Sequence, residues 1–271
     1  MLTRQIKVAM LWTTVALIFS QMLPRAAQCQ PFYFLDDFED GSVVDGNPVS
    51  WTVPGYADGG SRQVISGSYV LQAPSTFFGM DTDIAGHIYR DVSLRSQFTI
   101  NGDQQGVGLY VLSTLAGPPG NGSQGSQLFS ELDGNSTGEL DIAFFRGGSP
   151  SILAQTNLGY DPTGLEMHMQ FDLVGNLVTL SAWRDGTPQP ATPMLSSDVS
   201  QIADLPSEGR IGLYSVAFDQ NAVAQPTEFR FFQAVPEPSS WLLSVLGLLG
   251  YVRLDRRRCC GSSTANSCQT T

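Results

Sequence analysis

Lysine is nearly missing from this 271-residue chain: it occurs once, at Lys7, and between Gln30 and Val235 there is none. That stretch holds seven Arg against 23 Asp plus Glu, a net charge of −16, while both ends are basic. Nucleic-acid binding is thereby excluded, because a phosphate backbone requires a positive surface. Cysteine is absent from the same stretch, since Cys29 lies near one end and Cys259, Cys260 and Cys268 near the other. The middle therefore has neither a disulfide framework nor a thiol nucleophile. Histidine occurs only at His87 and His168, with no Cys or second His at ligand spacing, which excludes a zinc site of that type. No Gly-x-Ser-x-Gly elbow occurs, and the glycine-rich run Gly117 to Gly125 lacks the Lys-Ser/Thr ending of a phosphate loop. Charged residues make up only 14% of the chain, with the helix formers Lys and Glu scarce.

What is present points to strands. The chain is 42% hydrophobic and 10% aromatic, with 28 Gly and 16 Pro to punctuate it. Residues 68–72, 92–100, 106–112, 138–145, 167–173, 177–183, 210–218 and 228–234 alternate with period two or carry β-rich apolar runs. Gly175-Asn176 and Asp185-Gly186 mark tight connections, the first joining two strands as a hairpin. No dozen-residue window among them carries a helical stripe. Eight or more antiparallel strands with turns between them predict an all-β, antiparallel two-sheet sandwich spanning residues 30–234, long enough for one substantial core.

The ends follow other rules. Residues 1–29 begin with Arg4 and Lys7, continue through the apolar Val8 to Phe19 and reach small residues at Ala26 and Ala27, the layout of a secretory signal peptide. Cleavage after Cys29 places Ala27 at the minus-three position; a lipoprotein reading of Cys29 is disfavoured by Gln28 before it. Residues 235–258 contain Pro236-Glu237-Pro238, then an apolar segment with Trp241, Leu242, Leu243, Val245, Leu246, Leu248, Leu249 and Val252, then Arg253, Arg256, Arg257 and Arg258. The prolines keep the approach extended, the apolar stretch suits a short helix in a bilayer, and the basic cluster stays on the cytoplasmic side. A core helix would not be followed by three consecutive Arg. This order resembles the PEP-CTERM sorting signal of Gram-negative and related bacteria. The resemblance implies processing by an exosortase-type membrane enzyme and an association with extracellular polysaccharide. Residues 259–271 extend past the point where such signals usually stop.

The middle has a resemblance of its own. Asp36-Asp-Phe-Glu-Asp-Gly41, Trp51, Gly67-Ser-Tyr-Val-Leu71, the strand from Asp91 to Phe98, Trp183-Arg-Asp-Gly186 and Gly209-Arg-Ile-Gly-Leu213 occur in an order similar to concanavalin A-like lectin/glucanase (LamG-like) jelly rolls. That implies a concave sheet face of the kind that binds glycans. Within it, Glu139 and Asp141 stand two apart on a strand and so point to one face, as paired acids do in glycoside hydrolysis. They resemble the nucleophile and helper of the glucanase pattern Glu-x-Asp-x-x-Glu, but Phe144 or Phe145 replaces the acid/base carboxylate. Trp51, Tyr56, Trp183 and Tyr214 could stack on sugar rings, although an aromatic on a sandwich strand is more often core. Asp81-Thr-Asp83 with Gly86 has part of a calcium loop without its closing Glu, so calcium is a candidate ion with no assigned ligands. The expectation is a secreted envelope or matrix protein, noncatalytic and carbohydrate-binding; the alternative is a glycan-active hydrolase or lyase using Glu139 and Asp141.

Overall fold

The computed structural model describes residues 33–236, apart from 47, 53–59, 74–79, 85, 115–124, 148 and 219–223. Residues 1–29, expected as a signal peptide, the apolar segment from Trp241 to Val252, expected in a membrane, the basic cluster from Arg253 to Arg258, Glu237, Pro238 and Tyr56 all lie outside the described residues. No helix among the described residues is long and apolar enough to cross a membrane.

Strands are numbered in chain order and pair antiparallel in two sheets. The first sheet runs in the order β13 (Leu195–Asp198), β12 (Leu177–Arg184), β11 (Glu166–Val174), β6 (Val92–Ile100), β15 (Thr227–Pro236), β4 (Ser68–Gln72) and β3 (Ser61–Ile65). The short β1 (Phe34–Asp36) also pairs with β15 and makes this sheet eight-stranded. The second is seven-stranded: β10 (Ser149–Asn157), β9 (Glu139–Arg146), β8 (Ser126–Gly134), β7 (Gln105–Ser113), β14 (Arg210–Ala217), β5 (Met80–Ile84) and β2 (Trp51–Thr52). The architecture is the all-β, two-sheet sandwich expected.

Alternation decides which way each strand faces. In β6, Val92, Leu94, Phe98 and Ile100 are buried while Ser93, Arg95, Gln97 and Thr99 are less so, and β11 repeats the pattern with Met167, Met169, Phe171 and Leu173. These residues meet Leu109, Leu132, Leu140, Ile142 and Leu213 of the other sheet in one core. Gly175 and Asn176 form the predicted hairpin between β11 and β12, with Val174 opposite Leu177 and Gly175 at φ +62°.

At one end of the core, Trp51 lies between Phe232, Tyr69 and Phe38, with ring centroids 5.2, 5.7 and 5.9 Å away. Its indole Nε1 donates 2.8 Å to Asp36 Oδ2. Burial raises the Asp36 pKa, and the bonds from Trp51 and the Phe38 amide only partly oppose this.

Two sequence expectations change here. Trp51 is 1% exposed and belongs to the core, so it is no platform for a sugar. Asp81 and Asp83 fall within β5, opposite Tyr214 and Gly212 of β14, so this backbone is a strand where a calcium loop requires a tight coil. The last strand, β15, continues through Pro236, opposite Val92, so the first proline of the sorting motif closes a strand of the sandwich.

Candidate functional site

The tripeptide Glu-Leu-Asp occurs twice, at 131–133 and 139–141. A turn joins the two copies: Asn135 Oδ1 accepts from the amides of Thr137 at 3.0 Å and Gly138 at 2.9 Å, and Gly138 adopts φ +60°. The resulting hairpin sets Glu131 opposite Asp141 and Leu132 opposite Leu140. Both leucines are fully buried in the core. The carboxylates on either side of each leucine therefore point to the outer face of the seven-stranded sheet. One step further in the same register, Asp133 comes opposite Glu139.

The neighbouring strands shape the rest of this face. On β7, Gly106 pairs with Asp133 and Gly108 with Tyr214 of β14. A Cβ at Gly108 would lie 1.8 Å from the Ser130 carbonyl oxygen and 2.5 Å from the Tyr214 ring, and one at Gly106 would lie 3.0 Å from the Glu131 carboxyl carbon. Only glycine lets these groups lean across the sheet. Tyr214 uses that space: its hydroxyl lies 2.8 Å from Glu131 Oε2 and 2.9 Å from the Ser130 carbonyl, and its ring meets Phe129 edge-on at 5.5 Å.

Four carboxyl groups on one small face repel one another. Asp141 is only 5% exposed and its pKa is pushed up to about 6, by burial first and by the Glu139 charge second. Burial is also the main cause for Glu131 and Asp133, whose pKa values both rise well above the carboxylate range, reinforced by the charges of Asp141 and Glu139. The Tyr214 hydroxyl donates to Glu131 Oε2, a bond that favours the ionised carboxylate and only partly offsets the effect of burial. Asp141 Oδ1 and Asp133 Oδ1 are buried without a hydrogen-bond partner.

No salt bridge among the described residues relieves this charge. Arg146, at the end of β9, pairs with Asp204 at 2.8 Å. No group of three or more His, Cys, Asp or Glu among the described residues is arranged to hold a metal ion.

Of the residues singled out from sequence, Glu139 and Asp141 thus share a face, as expected. Glu131 and Asp133 were missed, and the duplicated Glu-Leu-Asp around a Gly-Asn-Ser-Thr-Gly turn was the signal that could have found them. Tyr214 joins the site as the partner of Glu131, whereas Trp183 lies on the outer face of the other sheet. There His168 stacks on Trp183 at 5.3 Å and its Nε2 contacts Asp185 at 2.9 Å. Trp183 also lines a cavity of about 390 Å³, with Leu158, Tyr160, Arg184, Pro190 and Met194, which shares no residue with the carboxylate face.

The fold defines the class: an all-β, antiparallel two-sheet sandwich of the jelly-roll type, similar to solved concanavalin A-like and galectin-like structures. The Bacillus licheniformis beta-glucanase superposes with a TM-score of 0.52 at 13% identity, over 76% of this chain and 98% of that one. A prokaryotic beta-1,3-1,4-glucanase (lichenase) derived from a mouse hindgut metagenome gives 0.52 at 14% identity, over 76% and 99%. A protein of unknown function with a galectin-like fold from Bacillus subtilis gives 0.53 at 12%, over 76% and 100%. At such identities the likeness concerns the fold alone. Residues 234–258 match the PEP-CTERM protein-sorting motif, which marks an exported protein sorted to the cell envelope. No curated protein sequence matches the chain.

Proposed function

We propose that this chain is an envelope or matrix protein that binds extracellular carbohydrate on the outer face of its seven-stranded sheet. In this reading residues 1–29 direct export, the sandwich of 30–234 extends through Pro236, and 235–258 hold the chain at the membrane until an exosortase-type enzyme processes it, with 259–271 as a tail. The observation that carries the binding assignment is the convergence of Glu131, Asp133, Glu139 and Asp141 beside the Phe129–Tyr214 pair on one outer sheet face. Carboxylate oxygens of this kind accept from the paired hydroxyls of a sugar, and the Phe129–Tyr214 pair supplies an adjacent aromatic edge.

The shared fold with two glucanases and a galectin-like protein is consistent with this reading. A second reading, glycan hydrolysis, has its own support: Glu131, its pKa raised by burial, stands opposite Asp141, and glycoside cleavage uses paired carboxyl groups held at different pKa values. Incubation with a polysaccharide panel separates the two. Retention without release of reducing ends, weakened by Asp141→Asn, is the expected result. Release abolished by Glu131→Gln or Glu139→Gln would establish the hydrolase instead.

Sorting is tested by replacing Pro236, Glu237 and Pro238 with Ala. Export should persist while an uncut, membrane-bound form accumulates. A surface-released wild-type product that still carried Arg256 to Arg258 and Cys268 would overturn the sorting assignment.

A further inference from the structure

Resting on the carbohydrate-binding reading only in that the ligand is a saccharide, we infer that the cavity beside Tyr160 and Arg184 is a second glycan site, which takes an isolated uronate unit of an otherwise neutral chain. The walls of this cavity are pinned in place. The amides of Leu158 and Gly159 donate to the carbonyls of Gly138 and Thr137 at 2.9 and 3.0 Å, which ties the loop carrying Tyr160 to the turn between β8 and β9. Gly138 permits that approach, since a Cβ there would lie 2.7 Å from the Tyr160 carbonyl oxygen. The segment from Thr187 to Pro190 makes a second wall, stiffened by two prolines. Thr187 donates to the Arg184 carbonyl through its amide at 3.2 Å and its hydroxyl at 2.6 Å. Gln189 Nε2 donates 2.8 Å to Gln170 Oε1, and Asp185 meets His168 Nε2 at 2.9 Å. The enclosed space of about 390 Å³ is therefore preformed, and its size is that of a small-molecule site.

One charged side chain stands in a lining that is otherwise mostly apolar, with Leu158, Ala182 and Met194 beside the proline rings. That charge is Arg184, whose guanidinium has no ion-pair partner among the described residues. The carboxyl groups nearest in sequence to the cavity are engaged elsewhere. Asp161 Oδ1 accepts from the Thr163 amide at 2.8 Å, Asp185 is held by His168, and Glu166 lies 3.7 Å from Arg230 Nε. A guanidinium left with its fork of donors matches a carboxylate. Tyr160 is 36% exposed and offers a ring to the C–H face of a pyranose. Its hydroxyl meets only the Met167 sulfur, at 4.0 Å, among the described residues. Burial raises the Tyr160 pKa and the Arg184 charge opposes this only in part, so the phenol keeps its proton and can donate to the same ligand. A neutral sugar would leave Arg184 unanswered, while a continuous polyanion would be repelled by a domain whose net charge is −16. A single carboxylate on a neutral chain avoids both penalties.

The test uses the full-length chain, calorimetry and three short glucose oligomers of matched backbone, ending in glucuronate, in glucose or in glucose 6-sulfate. The glucuronate probe should bind roughly tenfold more tightly than the neutral one, a preference equivalent to one charge-assisted hydrogen bond. Added salt should narrow that gap. Arg184→Gln should erase the preference, and Tyr160→Ala should weaken both probes alike. Arg184 is exposed, so its variant should melt as the wild type does, and Tyr160→Phe provides a second variant that keeps the ring while losing the donor. Asp141→Asn should leave the preference intact. A preference that survived Arg184→Gln would overturn the cavity assignment, and one lost in Asp141→Asn would move the site to the acidic face. Equal binding of the glucuronate and neutral probes would overturn the charge assignment. Equal binding of the sulfate and glucuronate probes would reduce Arg184 to an unspecific anion contact and overturn the uronate assignment. Binding of no probe by a protein that still retains polysaccharide would overturn this site alone, whereas loss of retention as well would remove both readings.

Discussion

The two outer faces of the sandwich use the same residue types to opposite ends. On the eight-stranded sheet, Asp172 accepts from Ser93 Oγ, from Gln170 Nε2 at 2.9 and 3.1 Å and from Thr179 Oγ1 at 3.3 Å. Beside it, Arg95 lies 5.2 Å over the Trp183 ring, which stacks on His168. On the seven-stranded sheet, Asp141 and Asp133 each keep an oxygen with no partner. Among the described residues, the unpaired buried atoms of the first face are nitrogens, Arg95 Nε and His168 Nδ1, and the strongest repulsion among carboxylates lies on the second. A carboxylate surrounded by its own donors keeps its charge, whereas buried carboxyls crowded together without such donors hold their protons more tightly.

The largest expected effect tests the architectural face. Trp183 is 6% exposed and lies between Arg95 and His168, so Trp183→Ala removes the ring on which both rest. A loss of about 3 kcal/mol is expected, at the lower end of large-to-small aromatic truncations. Chemical denaturation measures it. If that variant also lost glycan binding while the Asp141 variant kept it, the assignment of the two faces would have to be exchanged.

Aspartate substitutions sharpen the contrast because their signs differ. Asp172→Ala strands the hydroxyls of Ser93 and Thr179 and the amide of Gln170, and should cost about 1–2 kcal/mol. Asp133→Asn removes an ionisable group from a crowd of like charges and should raise the thermal midpoint at neutral pH. Equal losses from both would show that the acidic face is as fully satisfied as the other.

The pH dependence follows from the same repulsion. A carboxyl whose pKa is raised by folding binds more protons in the native state than in the unfolded one, so stability is greatest at low pH and falls as pH rises. For Asp141 the loss should run from the ordinary carboxylate range up to about 6, and Glu131 and Asp133 should carry it further upward. Asp36, raised by core burial, adds in the same direction. Asp185 and Asp198 have lowered values and oppose this only below the ordinary carboxylate range. The thermal midpoint should thus be higher near about pH 5 than near about pH 8, and the double variant Asp133→Asn/Asp141→Asn should flatten the difference.

Much of this was written in local patterns. Strands β4 and β6 were read from sequence with the bounds they adopt, since strict alternation in β6 leaves only one face for the core. The strand β8 was not read, because Ser126, Gln127 and Ser130 are polar yet buried and blur the alternation. With β8 went Glu131 and Asp133, half of the site. Glu139 and Asp141 could be placed on one face from their spacing alone, but their encounter with a second pair depends on hairpin register, a long-range property. Trp51 could not be distinguished from a sugar platform by residue type. Its place among Phe38, Tyr69 and Phe232 depends on strands distant in sequence.

The smallest expected effect concerns Arg146, the cation of β9. If its charge moderated the acidic face, removing it would raise the Asp141 pKa further and strengthen binding of a cation. Its guanidinium instead donates 2.8 Å to Asp204 and 3.3 Å to the Ala203 carbonyl, with both charged side chains more than half exposed. Exposed pairs of this kind contribute about 0–1 kcal/mol, and salt screens them. Arg146→Ala should therefore shift the thermal midpoint only slightly and leave both glycan retention and the pH slope as they are. A steeper pH slope in that variant would show that Arg146 reaches the carboxylates electrostatically. The acidic face would then be partly neutralised after all, which would remove the sharpest difference between the two sides of the sandwich.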